Sequence, residues 1–254
     1  MFESLLSAVD LTAREFLILT VIVIVAGVVR GFSGFALSAI VMASAVIILP
    51  PVQLIPICWW LEMTASVLMA KGGWQEADRG VVLGLVIGST LGVPFGLLLT
   101  TSLPVETSKV IVLLLIIGLA ITQLAKIRLQ FLATKPGLYG SGFAAGIATG
   151  LASVGGMVIA VYVLSQQAPA AKMRAALVLF LFISSLTTVI TLLWFGVMNS
   201  TATARGLSLA IPTTIGVIIG QKLFNPRFAP YYRPVCLSLL CALAGTALVR
   251  TQLV

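Results

Sequence analysis

"GVVRGFSGFALS", residues 27–38, interrupts one of the most apolar stretches of the chain with three glycines, two serines and an arginine. A helix in a bilayer satisfies its own backbone hydrogen bonds. Non-helical backbone at that depth is tolerated only where it packs in protein or lines a wet cavity. The stretch therefore reads as a break in a buried helix beside a charge. How the apolar segments on its two sides are counted decides the fold.

The rest of the chain says why the solvent is a bilayer. Of 254 residues, 60% are hydrophobic and 9% charged, against about a quarter charged in soluble domains. Long apolar runs recur from end to end. The net charge of +8 comes from basic residues in short loops between those runs, where it sets membrane orientation, so no nucleic-acid partner is expected. The opening MFESLLSAVDLTARE has no basic leader region or small-residue cleavage site, and no cleaved signal peptide is expected. Cys58, Cys236 and Cys241 lie in apolar runs without paired spacing and read as packing residues. Histidine is absent. With it go the commonest general base and the commonest metal ligand, so no metal, no cofactor and no enzymatic chemistry are expected.

Apolar runs fall near 13–31, 34–49, 52–70, 80–101, 106–125, 137–152, 155–168, 174–195, 203–222 and 231–250. The first two form one long run broken at Gly31–Gly34, and the sixth and seventh another broken at Gly150–Gly156. Each long run is either one overlong span or a hairpin of two short helices, giving eight to ten segments. With two hairpins, ten basic residues fall on one side and four on the other, with Arg30 at a tip. With two single crossings the split is eight to six. The positive-inside rule favours hairpins, with both termini outside.

The halves resemble each other. Gly27 and Gly31 match Gly146 and Gly150 at an offset of 119, and Pro50 matches Pro169 at the same offset. Arg79-Gly80 matches Arg205-Gly206, and Gly92-Val93 matches Gly216-Val217, at slightly larger offsets. The expected fold is an all-α polytopic membrane protein. It forms a single transporter domain, 1–254, of two inverted repeats, 1–131 and 132–254, each of about five segments beginning with a broken or re-entrant hairpin.

Hairpins entering from opposite faces bring their tips toward the middle. The outgoing helices start near Ser33–Gly34 and Gly155–Gly156, and helix starts expose N–H groups and a positive dipole end. The expected anion site is Arg30, Gly31, Ser33, Gly34, Ser153, Gly155 and Gly156. Two readings stand for Arg30, site or interfacial anchor. Glycines at four-residue spacing, such as Gly84, Gly88, Gly92 and Gly96, also read as close helix packing, and so do Gly27, Gly31, Gly142, Gly146 and Gly150. Glu62 is the one acid inside a span. It reads as a proton carrier, as the partner of Arg30 or as a structural hydrogen-bonding group. Trp59 and Ser66 share its helical face, and with Gln166 they complete the expected path lining.

"GFSGFALSAIVMASAVIILPP" and "KGGWQEADRGVVLGLVIGSTLGVPFGLLLTTSLP" resemble the first half of the sulfite exporter (TauE/SafE) family. "GIATGLASVGGMVIAVYVLSQQAPAAKMRAALVLF" and "LAIPTTIGVIIGQKLFNPRFAPYYRPVCLSLLCALAG" resemble its second half. The resemblance implies a multi-pass secondary carrier of the bacterial inner membrane that moves sulfite, sulfoacetate or related organosulfonates, usually outward. This chain has Phe35-Ala36 where the family's first motif often carries more glycine. Alternatives at this point are a passive anion channel and a carrier of another small organic acid. Coupling to protons or sodium, and a homodimer packed through glycine faces, are compatible with the sequence.

Overall fold

The computed structural model of the chain describes residues 2–127, 130–166, 170–223 and 229–253. Among these are eleven α-helices and no strand. They are α1 (Phe2–Val9), α2 (Ala13–Ser33), α3 (Leu37–Ala45), α4 (Pro51–Glu76), α5 (Arg79–Ser102), α6 (Val105–Leu124), α7 (Lys135–Ala152), α8 (Gly155–Ser165), α9 (Ala170–Trp194), α10 (Ser200–Leu223) and α11 (Ala229–Leu253). The ten from α2 onward are the ten apolar runs; most are extended by a few residues, α6 is shifted by one, and α3 and α8 are shorter than their runs. Helix α1 and a short 3-10 turn at Gln130–Ala133 have no counterpart among them.

Local chemistry sets the boundaries. Thr12 and Glu15 form a reciprocal capping box at the start of α2. Asp78 accepts from the N–H groups of Gly80 and Val81 to start α5, and Thr134 caps α7 through Gly137 N–H. Helix α2 stops because Gly34 takes a left-handed conformation, φ 82°, and its N–H returns to the Arg30 carbonyl. Ala36 is left-handed too, φ 76°. Ser153 ends α7 in the same way, φ 55°.

Seven helices are long and apolar enough to cross a membrane: α2, α4, α5, α6, α9, α10 and α11. That is fewer than eight to ten, for identifiable reasons. At nine and eleven residues, α3 and α8 fall short of the roughly 20 that a crossing needs. Helix α7 has 18 residues, but its glycines and Lys135 lower its apolar character. The chain is a multi-pass membrane protein.

Two glycine seams organise the packing. Helix α5 lies on α7, with Gly88, Gly92 and Gly96 facing Gly142, Gly146 and Gly150. Helix α2 lies on α10, with Gly27 and Gly31 against Gly216 and Gly220. The backbones are close enough that a methyl group at Gly27 would sit 2.8 Å from the Thr213 carbonyl oxygen. Around these seams α4 packs on α9 and on α10, α5 packs on α9, and α6 packs on α11. Nearly every residue of the short helices α3 and α8 is buried. The outer faces carry exposed Leu17, Val21, Leu91, Phe95, Ile190 and Ile211, as a lipid-facing surface does.

Candidate functional site

At the first break, Arg30 is completely buried, and so are the groups that hold it. Its Nε lies 3.1 Å from Glu62 Oε2. Its Nη1 donates to the Gly34 carbonyl, and its Nη2 donates to Ser66 Oγ at 3.0 Å. Glu62 Oε1 accepts from the Ser38 hydroxyl at 2.9 Å and from the Ser38 backbone N–H at 3.3 Å. Ser38 stands in the first turn of α3, so the Glu62 carboxylate sits at a helix start, where a negative charge is favoured. A buried charge is tolerable only when it is paired and hydrogen-bonded, and here the arginine supplies the counter-charge. The interfacial-anchor reading of Arg30 does not fit this burial.

The other first-half candidates are engaged nearby. Ser33 Oγ bonds the backbone N–H and carbonyl of Phe35. Gly31 lies in the α2–α10 seam, and its carbonyl accepts from Arg174 Nη2 at 2.6 Å. Gly34 packs against the stem of Arg174, where a Cβ would be 2.8 Å from Cγ. Trp59 donates its indole N–H to the Ser185 carbonyl at 2.8 Å, tying α4 to α9.

The second break is built differently. Ser153 donates to the Ile55 carbonyl over a long 3.4 Å, and α8 starts at Gly155 without any side-chain cap. Gly155 packs on Thr149, and Gly156 faces Leu181. Between α4, α7 and α9 lies a small cavity of about 30 Å³. Its polar wall is Glu62, Thr149, Ser153, Ser184, Ser185 and Thr188; its apolar wall includes Ile55, Trp59 and Leu192. The structure thus joins Trp59, Glu62 and Ser153 in one cavity and Arg30, Gly34, Glu62 and Ser66 in one bonded cluster. Glu62 belongs to both. Gln166 is exposed at the far end of α8 and lines neither.

The tips do not meet at one level. The first break reaches α4 through Arg30 at Glu62 and Ser66, and the second through Ser153 at Ile55. Seven to eleven residues of α4 separate them, about 10–16 Å. Helices α2 and α7 run for 21 and 18 residues before they break.

Thr149, Ser184, Ser185 and Thr188 are cavity residues that the sequence reading missed. Their signal was present: "ISSLTTVITLLW", residues 183–194, places hydroxyls four apart on one face of an apolar helix.

A second cavity lies at the start of α4 and just beyond α9, lined by residues that include Asp10, Gln53, Asn199 and Arg205. Arg205 is buried there. It donates to the carbonyls of Val9 and Asp10 and, at 2.8 Å, to Gln53 Oε1. Among the described residues no three His, Cys, Asp or Glu side chains are grouped to hold a metal ion.

With this arrangement in view, the comparison with known families is informative. Residues 19–247 match the sulfite exporter TauE/SafE family model. The chain belongs to the sulfite exporter TauE/SafE family. The match takes in both broken helix pairs, the Arg30–Glu62 cluster and the cavity. TauE/SafE proteins form a transporter family and not an enzyme family, so the hydroxyls and the carboxylate at depth belong to a transport protein. No curated protein and no solved structure matches the chain.

Proposed function

We propose that this TauE/SafE protein is a secondary carrier. It moves small anions, sulfite or an organosulfonate, across the bacterial inner membrane by alternating access, in the direction of export. The observation that carries this reading is two broken helix pairs beside one polar cavity, which Ser153 of the second break lines and which Glu62 connects to the first. Irregular backbone is costly in a bilayer and is kept where a solute path needs it. Family membership supports an anionic solute.

The carrier has two inverted repeats, α2–α6 and α7–α11. Helix packing supports this. The fourth helix of each five lies on the first of the other, third lies on third, and fifth on fifth. Arg205 supports the hairpin. It holds both Asp10, before α2, and Gln53, at the start of α4, so α2 and α3 together return to the face they left. The charge split then puts both termini outside.

Purified protein in liposomes loaded with labelled sulfite or sulfoacetate tests the proposal. A carrier gives saturable efflux, accelerated by unlabelled solute on the opposite side, and responds to an imposed proton or sodium gradient. Flux that does not saturate and shows no exchange acceleration belongs to a channel and would overturn the proposal.

A further inference from the structure

The two helix starts at depth differ in one respect. The start of α3 holds an anion supplied by the protein, the Glu62 carboxylate, which accepts from Ser38 N–H. The start of α8 has no side-chain cap and adjoins the cavity through Ser153. At the 119-residue offset of the repeats, Gly34 corresponds to Ser153, and both are left-handed. The same offset places Thr149 opposite Arg30. Where the first half has a cation, the second half has a hydroxyl. Where α3 has a carboxylate, α8 has no side-chain partner, and the cavity begins at Ser153, two residues before it.

The cavity wall supplies donors. A hydroxyl that already donates to a carbonyl of its own helix cannot donate to a solute. Thr149 and Ser185 are committed in this way, to Ala145 and Leu181. Thr188 Oγ1 is different: its residue is 4% exposed and this hydroxyl has no hydrogen-bond partner. A buried polar group left unmatched is unfavourable, and here it lies on the cavity wall. Ser184 shares only a 3.3 Å contact with the Ser89 hydroxyl, and Ser153 has its long bond to Ile55. All three can turn toward a solute.

Charge selects the solute. Glu62 lies on the wall, where Oε1 accepts from Ser38 and Oε2, without a hydrogen bond, is neutralised by the Arg30 guanidinium 3.1 Å away. The remaining polarity is hydroxyl donors, with the positive end of α8 two residues beyond Ser153.

We infer that a small oxyanion binds in this cavity at the start of α8, against the hydroxyls of Ser153, Ser184 and Thr188, as the exchangeable counterpart of the Glu62 carboxylate at the start of α3. The inference rests on the anion-carrier reading and gives it a site. Selectivity then comes from hydroxyls and a helix start, and Arg30 acts by neutralising Glu62 without touching the solute. The substituent of a sulfonate would point along Ile55 and Leu192.

The test is sulfite binding and sulfite exchange by the full-length protein, in detergent and in liposomes. Sulfite is supplied as its sodium salt and as its N-methylglucamine salt. Thr188→Val keeps the shape and removes the hydroxyl. It is expected to raise the half-saturating sulfite concentration about tenfold. Ser184→Ala is expected to act in the same direction, and Thr188→Ser to restore affinity. Thr191→Val, on the same helix and outside the cavity, is expected to leave affinity unchanged.

If wild type exchanges sulfite and both Thr188→Val and Ser184→Ala bind it normally, the site is wrong while the carrier reading survives. If wild type exchanges neither sulfite nor a sulfonate, the carrier reading itself has failed. If Thr188→Val loses a sodium requirement and keeps its sulfite affinity, the cavity is a cation site and the inference is overturned.

Discussion

Arg30 and Glu62 show what one residue pair does at depth. Neither charge could stay buried alone. Together, with Ser38, Ser66 and the Gly34 carbonyl, they form a charge-neutral cluster that joins α2, α3 and α4, with Arg30 Nε and Glu62 Oε2 held by the ion pair alone. Removing one partner of a buried ion pair costs about 3–5 kcal/mol, whereas replacing both by apolar groups is often close to neutral. Arg30→Met and Glu62→Met are each expected to lower thermal stability in detergent strongly. The double variant should recover most of the loss, and a melting series over the four proteins reads the coupling. Losses that simply add would mean the two charges act independently. Both residues stand out in the sequence as charges within apolar runs, and their pairing is one of the readings that the sequence allows. The Ser38 contact was not legible, since it depends on α3 folding back beside α4. Ala36 is a second case. It holds φ 76°, a conformation that strains any residue with a Cβ. Ala36→Gly is expected to stabilise the protein by about 1 kcal/mol, measured as a raised melting temperature. An unchanged or lowered melting temperature would show that the alanine methyl packs well enough to offset the strain.

At the scale of elements, sequence periodicity and composition carried far. Every apolar run became a helix, because apolar length and turn residues are local properties. What failed was counting crossings from hydrophobicity alone. Helices α3 and α8 are as apolar as their neighbours but too short, and nearly every residue in them is buried in protein. The glycine pattern admitted two readings, packing or solute approach, and at the seams packing is what the structure contains. Lipid gives helices little hydrophobic reason to associate, so close backbone contact carries the association. The seams should therefore be intolerant of even a methyl group. A Cβ at Gly92 would lie 3.0 Å from Ile147 N and 3.1 Å from Gly146 Cα, backbone atoms that cannot turn aside. At Gly118 nothing lies within 4 Å. Gly92→Ala is expected to cut the monodisperse yield in size-exclusion chromatography severalfold, and Gly118→Ala to leave it unchanged. Equal yields would mean that the α5–α7 seam does not hold the fold together.

At the scale of the molecule, the two cavities lie one beyond the other. The polar cavity follows the first half of α4 and the second half of α9, and the Arg205 cavity follows at the start of α4 and the end of α9. At the opposite end of α9, Arg174 bonds the Gly31 carbonyl beside the first break. The Arg205 cavity opens on the face that holds Asp10 and Asn199, and under the alternating-access proposal the other state is one in which Arg174 lets go of Gly31. Which side of the membrane that face is can be measured, and the same measurement tests the inverted arrangement. Lys126 follows α6, and Thr201 begins α10. If α7 and α8 form a hairpin, only α9 crosses between these positions, and they lie on opposite sides. If α7 and α8 together cross once, α9 crosses back, and both lie on one side. In a variant whose native cysteines are replaced, Thr201→Cys is expected to react with an impermeant maleimide added outside intact cells. Lys126→Cys should react only after the cells are opened. Both positions are accessible to a reagent, since Lys126 is exposed and Thr201 lines the Arg205 cavity. Labelling of both from the same side would remove the hairpin, and with it the inverted repeat and the outward placement of the termini.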